Sequence, residues 1–238
     1  MSKNVRISVC MATYNGEKFI KKQLESILVQ LEKNDEVIIS DDMSTDNTLK
    51  IIEGLNDSRI KIFLHENNHG FTQNFENALK NANGKYIFLS DQDDEWISDK
   101  VNITLNELKK YDFVVSDCIT VDENGKILDN SRFKNFKIKK GFFRIMYKMR
   151  YLGCCMAFKK EILEKAMPFP KRVDLVEHDT WLASVAELYY KVKLIDRPLI
   201  YYKRHGNNVS SGGFDKGYSL VNKIKRRAYR LFKLIAIK

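Results

Sequence analysis

The chain has 238 residues, 44% of them hydrophobic and 30% charged, with a formal net charge of +10. That apolar share supports a sizeable core and excludes disorder throughout, and the length fits one large domain, or one domain with a tail. No run approaches the ~20 apolar residues of a membrane span, and no leader pattern precedes the first apolar stretch. The four cysteines form no Cys-x-x-Cys pair and read as reduced core residues of a cytoplasmic protein.

In chain order, "VRISVCMAT" reads as a strand and "EKFIKKQLESILVQLE" as a helix with Phe19, Ile20, Leu24 and Ile27 near helical spacing. "DEVIISD" is a second strand. The helix "STDNTLKIIEGL" follows, with Ser44, Thr45 and Asp46 as cap candidates. Next come the strand "RIKIFLH", the helix "GFTQNFENALKNAN" ended by Gly84, the strand "KYIFLS", a helix over 98–109 and the strand "DFVVSD". The second half is less regular. Asn124-Gly125 marks a hairpin turn, "YLGCCMAF" a buried strand, "EHDTWLASVAELYY" a helix and "PLIYYKRH" a strand. In the tail, Leu220, Ile224, Ala228, Leu231 and Ile235 recur at helical spacing among basic residues.

Strand–helix alternation predicts an α/β fold with a mostly parallel sheet flanked by helices, which binds ligands beyond the carboxyl ends of its strands. Three strands end informatively: at Ala12-Thr13-Tyr14-Asn15-Gly16, at Asp41-Asp42, and at Asp91-Gln92-Asp93-Asp94. A D-x-D pair in a tight loop can converge on one hard divalent cation with oxygen ligands; the plainer reading is a solvated acidic loop that caps the next helix. For Asp41 and Asp42 the plainer reading is turn chemistry.

The segments "SVCMATYNGEKFIKKQLESILVQ", "EVIISDDMSTDNT", "NHGFTQNFENALKNANGKYIFLSDQDDEW", "GCCMAF", "EHDTWLA" and "YYKRHGNNVS" together resemble the family 2 glycosyltransferases of GT-A fold, in family order across about 5–210. "LSDQDDEW", "HDTWLA" and "RHGNNVS" look most like the bacterial rhamnosyltransferase-like branch. The resemblance implies a GT-A domain over 1–214, with a nucleotide-binding half over 1–118 and an acceptor-side half over 119–214, and a basic amphipathic helix over 215–238.

It also implies roles. Ala12 and Tyr14 would pack around the nucleotide base, and Asp42 would accept from the base or its ribose. Gly70 and Asn74 would lie near the nucleotide-sugar, Gly70 as a backbone-conformation residue. Asp93 would ligate Mn²⁺ or Mg²⁺ directly, and Asp91 would contact the ribose, or the metal through water. His205 would reach the diphosphate or the metal, with Lys203 and Arg204 offering charge to the same phosphates. Asp179 matches the catalytic base, although an Asp before a helix is also a common N-cap. On the acceptor side stand Asp94, which would otherwise cap the next helix, His178, and Trp181, whose plainer role is core. A single displacement with one base predicts inversion at the anomeric carbon.

The basic excess is localised. Residues 131–150 and 216–238 carry eight cations each and no acid, so the rest of the chain has 41 − 16 = 25 basic against 31 acidic residues. The tail's apolar stripe suits an interfacial helix on an anionic membrane. A nucleic-acid-binding module would explain the charge but not the acidic strand ends, and no groove-reading motif is present. A metal-dependent nucleotidyltransferase would want a glycine- and lysine-rich phosphate loop, which "MATYNGEKF" is not. The expected partners are therefore a dTDP- or UDP-sugar, a lipid-linked glycan acceptor and the inner face of the membrane, without nucleic acid.

Overall fold

The computed structural model describes residues 5–65, 70–206, 208 and 218–237. Its sheet runs in the order β3-β2-β1-β4-β8-β6-β9-β5, with β7 paired to β6. β1 (Ile7–Thr13), β2 (Glu36–Asp41), β3 (Ile60–Leu64) and β4 (Tyr86–Ser90) form a four-stranded parallel block. All of β2, and all of β1 but Ala12, is buried, because layers cover both faces. This explains why these strands read as unbroken apolar runs.

Four helices follow the parallel strands: α1 (Ile20–Leu28), α2 (Thr48–Gly54), α3 (Phe71–Lys80) and α4 (Lys100–Leu108). α1 buries Ile20, Leu24 and Ile27, and α3 buries Phe75, Ala78 and Leu79. The amphipathic faces expected from spacing are thus the packed ones, except that Phe71 is exposed. Three local expectations shift. α2 begins at Thr48, since Ser44 is drawn to Asp41 and Asp46 accepts the Thr48 N–H. α3 ends at Lys80, before Gly84. Gly84 instead lies against β1, where a Cβ would fall 2.3 Å from the Ser8 nitrogen.

β8 (Met156–Lys159) joins β4 and β6 (Phe113–Asp122) antiparallel. The segment before it, Gly153–Cys155, is a 3₁₀ turn rather than the start of a strand. β6 and β7 (Ile127–Asp129) flank the expected Asn124-Gly125 turn, where Gly125 takes φ +86°. β9 (Val192–Arg204) runs parallel to β6 through two register shifts and then pairs with β5 (Glu95–Trp96), which the sequence did not mark. That two-residue pairing carries the end of β9 to the acidic loop. The remaining helices are α5 (Arg132–Phe136), α6 (Phe142–Tyr147), α7 (Ile162–Ala166), α8 (His178–Tyr189) and α9 (Leu220–Ile235). All four cysteines are buried and unbridged. Among the described residues no helix is long and apolar enough to cross a membrane.

Candidate active site

β2, β1 and β4 are adjacent and parallel, so their three carboxyl ends share one rim, as alternation implied. Asp41 is wholly occupied there. Its carboxylate accepts from Thr13 Oγ1 (2.7 Å), Ser44 N (2.8 Å) and Ser44 Oγ (2.7 Å), which makes it a turn residue. Asp42 is buried at the strand end. Its Oδ2 accepts the Gly70 N–H at 3.0 Å, and its Oδ1 lies 3.8 Å from His65 Nδ1. Gly70 has φ +79°, a conformation glycine adopts without a Cβ penalty, and its amide therefore reaches Asp42. Asn74 Nδ2 donates to the Thr13 carbonyl (3.1 Å), while its buried Oδ1 has no partner among the described residues. Tyr14 is 47% exposed beside them, and Ala12 is partly buried.

Gln92, the middle residue of the D-x-D, was not foreseen as a site residue. Its Oε1 accepts the Tyr14 N–H and its Nε2 donates to the Tyr14 carbonyl, both at 2.9 Å. The amide group thus straps the acidic loop to the loop after β1. Gly16 makes room for it, since a Cβ there would lie 2.4 Å from Gln92 Oε1.

Asp93 Oδ2 accepts from His205 Nε2 (2.8 Å) and Asn208 Nδ2 (2.9 Å). The His205 ring stacks on Phe19 at 4.6 Å, and Lys203 Nζ stands 4.9 Å from the same ring. Phe19, which spacing assigned to a helix face, therefore organises the β9 end. Asp94 is 1% exposed, and its Oδ1 accepts the Lys203 N–H at 3.0 Å. It is thus neither a cap of α4, whose N-cap is Asp99, nor a group facing an acceptor. Lys100 is buried below the loop, 5.0 Å over the Trp96 ring.

Asp179 stands in the first turn of α8, its Oδ1 accepting the Thr180 N–H. Burial raises its pKa, while the Thr180 N–H and the cations Arg226 and Arg230 of α9 pull it back. Burial, followed by the charges of Asp93 and Asp179, pushes Asp91 up to about 8. Asp91 and Asp179 thus come from separate elements, 179 − 91 = 88 residues apart in sequence, and the turn Gly153–Cys155 lies between them, with Gly153 against Asp179 and Cys154 against Asp91.

His178 and Trp181 correct the acceptor-side expectation. His178 is buried, stacked on Phe75 at 4.1 Å and edge-on to Phe71, and burial lowers its pKa to about 4. It wedges α8 against α3. Trp181 is 3% exposed and donates Nε1–H to the Ala166 carbonyl at 2.7 Å, so its ring packs in the core rather than on a sugar. Glu177, at the N-cap of α8, pairs with Arg226 at 3.1 Å.

The acidic loop fits a divalent cation. Asp94 Oδ2 is buried and without a partner among the described residues, and ligand atoms of Asp91, Asp94 and Cys154 lie within 4.8 Å of one another. Carboxylate oxygens suit Mg²⁺ or Mn²⁺, and the thiol does not. Like charges this close want a cation between them.

The family model for glycosyl transferase family 2 matches residues 8–167. The chain belongs to that family. The Shigella flexneri protein named dTDP-rhamnosyl transferase RfbG is 31% identical over 242 residues, covering 92% of this chain and 81% of that protein. An Escherichia coli protein, UDP-Glc:alpha-D-GlcNAc-diphosphoundecaprenol beta-1,3-glucosyltransferase WfaP, is 29% identical over 92% of this chain and 85% of its own length. In structure, TarS 1-349 of S. aureus in complex with UDP-GlcNAc superposes with TM-score 0.76 at 22% identity, over 98% of this chain and 67% of that one. Mannosyltransferase PcManGT from Pyrobaculum calidifontis, in complex with GDP-Man and Mn²⁺, gives TM-score 0.63 at 22% identity, over 98% and 64%. This family 2 glycosyltransferase thus has the GT-A fold of those enzymes.

Proposed function

We propose that this family 2 enzyme is a metal-dependent, inverting glycosyltransferase of bacterial surface polysaccharide synthesis. It moves a sugar from a nucleoside-diphosphate donor, dTDP-L-rhamnose or a UDP-sugar, to a hydroxyl of a lipid-linked glycan, at the inner face of the cell membrane. One observation carries the reading. Asp179 of α8 stands against the turn that abuts the acidic loop: a Cβ at Gly153 would lie 3.5 Å from Asp179 Cβ, and the thiol of the next residue, Cys154, lies within 4.8 Å of ligand atoms of Asp91 and Asp94.

The donor's base lies by Tyr14 and Asp42, and its sugar and diphosphate extend along the rim past Asn74 toward the acidic loop. Asp91, Asp93 and Asp94 would hold Mg²⁺ or Mn²⁺. That ion supplies positive charge against the charge growing on the departing nucleoside diphosphate. His205 and Asn208 fix Asp93, and the Gln92 amide fixes the loop against Tyr14. Asp179 takes the proton of the acceptor hydroxyl as that oxygen bonds to the anomeric carbon. The bond to the diphosphate oxygen breaks with its electron pair on the leaving group. Attack and departure on opposite faces invert the centre, by the geometry that separates inverting from retaining hydrolases.

A panel of nucleotide-sugars assayed with Mn²⁺, Mg²⁺ or chelator tests this reading. We expect turnover of a dTDP- or UDP-sugar only with metal, and a transfer product of inverted configuration by NMR. Turnover that survives chelation, or a retained anomer, contradicts it.

A further inference from the structure

The tail helix α9 anchors on the body through Leu234 but leaves most of its apolar residues outward. Its exposed face carries Val221 (73%), Ile224 (57%), Leu231 (43%), Phe232 (66%) and Ile235 (74%). The face turned to the body carries Leu234, 0% exposed and part of the core, together with arginines. Arg230 is 5% exposed and donates Nη2–H to the Ile145 and Met146 carbonyls at 3.1 and 2.9 Å. Arg227 donates to the Met146 carbonyl (3.2 Å) and to that of Tyr147. These carbonyls end α6 and have no partner within that helix, so the guanidinium groups cap it. Arginine is thereby committed inward, and the apolar stripe is left outward.

The same capping brings the acid-free segment 131–150 together with the described part of the acid-free tail, 218–237. α6 adds Phe143 (85% exposed) and Tyr147 (74%). Beside it lies a cavity of about 170 Å³ lined by Lys137, Lys139, Arg144, Lys148 and Arg150, with no carboxylate among its lining residues. Contiguous exposed apolar area ringed by one sign of charge marks a docking site.

We propose that the α6–α9 face docks on an anionic lipid bilayer, the α9 stripe entering the acyl boundary and the cations around the cavity taking lipid phosphates. Charge selects this occupant. A second copy related by a two-fold axis would set cations against cations, because both segments lack acids. A bilayer supplies apolar depth and negative headgroups together. The surface also abuts the catalytic side, since Arg226 of α9 pairs with Glu177 next to Asp179. Docking therefore sets the site at the membrane, which gives the lipid-linked acceptor proposed above its route of approach. The docking itself involves neither donor nor acceptor, so its failure is distinct from failure of that reading.

The test is cosedimentation of the full chain with vesicles of phosphatidylcholine alone or mixed with phosphatidylglycerol. We expect binding to the mixed vesicles that weakens as salt rises, and little to phosphatidylcholine alone. Lys223→Ala and Lys225→Ala should each weaken binding about fivefold. The double variant Ile224→Asp/Phe232→Asp should weaken it at least tenfold with an unchanged unfolding curve, since both residues are exposed. Three outcomes overturn the proposal: no binding to the anionic vesicles, equal binding of the double variant, or a lipid-free dimer that the double variant dissociates.

Discussion

Gly16→Ala offers a sharp probe of how the acidic loop is held. The new Cβ would sit 2.4 Å from Gln92 Oε1 and 2.7 Å from its Cδ, far inside contact distance. Gly16 does not take a left-handed φ, so the backbone itself tolerates alanine. The side chain of Gln92 must move, and both 2.9 Å hydrogen bonds to Tyr14 go with it. At ~1 kcal/mol net per bond, the loss is about 2 kcal/mol, the upper end for so exposed a pair. In a chain of this size that lowers Tm by roughly 4–8 °C. Gln92→Ala removes the same two bonds and also the clash. In a double-mutant cycle by urea unfolding, Gly16→Ala should therefore cost little in the Gln92→Ala background, giving ~1–2 kcal/mol of sub-additivity. Metal-dependent donor affinity should fall in both single variants. Additive costs would refute the reasoning, since they would mean Gly16 acts through something other than Gln92.

Asp93→Ala should abolish the stimulation of donor binding by Mn²⁺ or Mg²⁺, read by calorimetry, while leaving the fold intact. Intact metal stimulation would move the ligand elsewhere. His178 gives a pH prediction. Its folded pKa of about 4 lies below the unfolded ~6.5, so below pH 6.5 the unfolded chain binds more protons. Stability should be level above pH 6.5 and fall as pH drops toward 4, by about 2 kcal/mol at pH 5. Urea unfolding at pH 7 and pH 5 should show a smaller drop in His178→Phe; an equal drop would assign the titration to other groups.

The parallel half of the fold was legible because its signals are local. Buried strands and amphipathic helices alternate, and acidic or glycine residues stand at strand ends. Adjacent parallel strands must then share a rim, so the strand ends that carry Tyr14, Asp42 and Asp91 lie side by side without further information. Asp93 and His205, 112 residues apart in sequence, also meet, at 2.8 Å. What escaped depends on tertiary contact. Nothing in the spacing of Gln92 says that its amide will pair with the backbone of Tyr14. Phe19 reads as a helix-face residue until β5 pairs with β9 and carries His205 onto its ring. Trp181 carries functional chemistry in sequence, yet burial commits it to the Ala166 carbonyl, and burial turns Asp94 from the acceptor to the Lys203 N–H, leaving only its Oδ2 toward the loop's other carboxylates. For α9, periodicity located the apolar stripe but not its direction. That was decided by tertiary contact, as Arg227 and Arg230 donate to the carbonyls at the end of α6 and Leu234 enters the core.

The measurement that bears most directly on the account follows donor affinity and transfer rate together in Asp179→Asn at saturating Mn²⁺. The account predicts a donor Kd close to the native value and a transfer rate lower by about 10²–10⁴-fold, the span a positioned general base contributes. A transfer rate near native, or a loss of donor binding as large as the loss of rate, would contradict it.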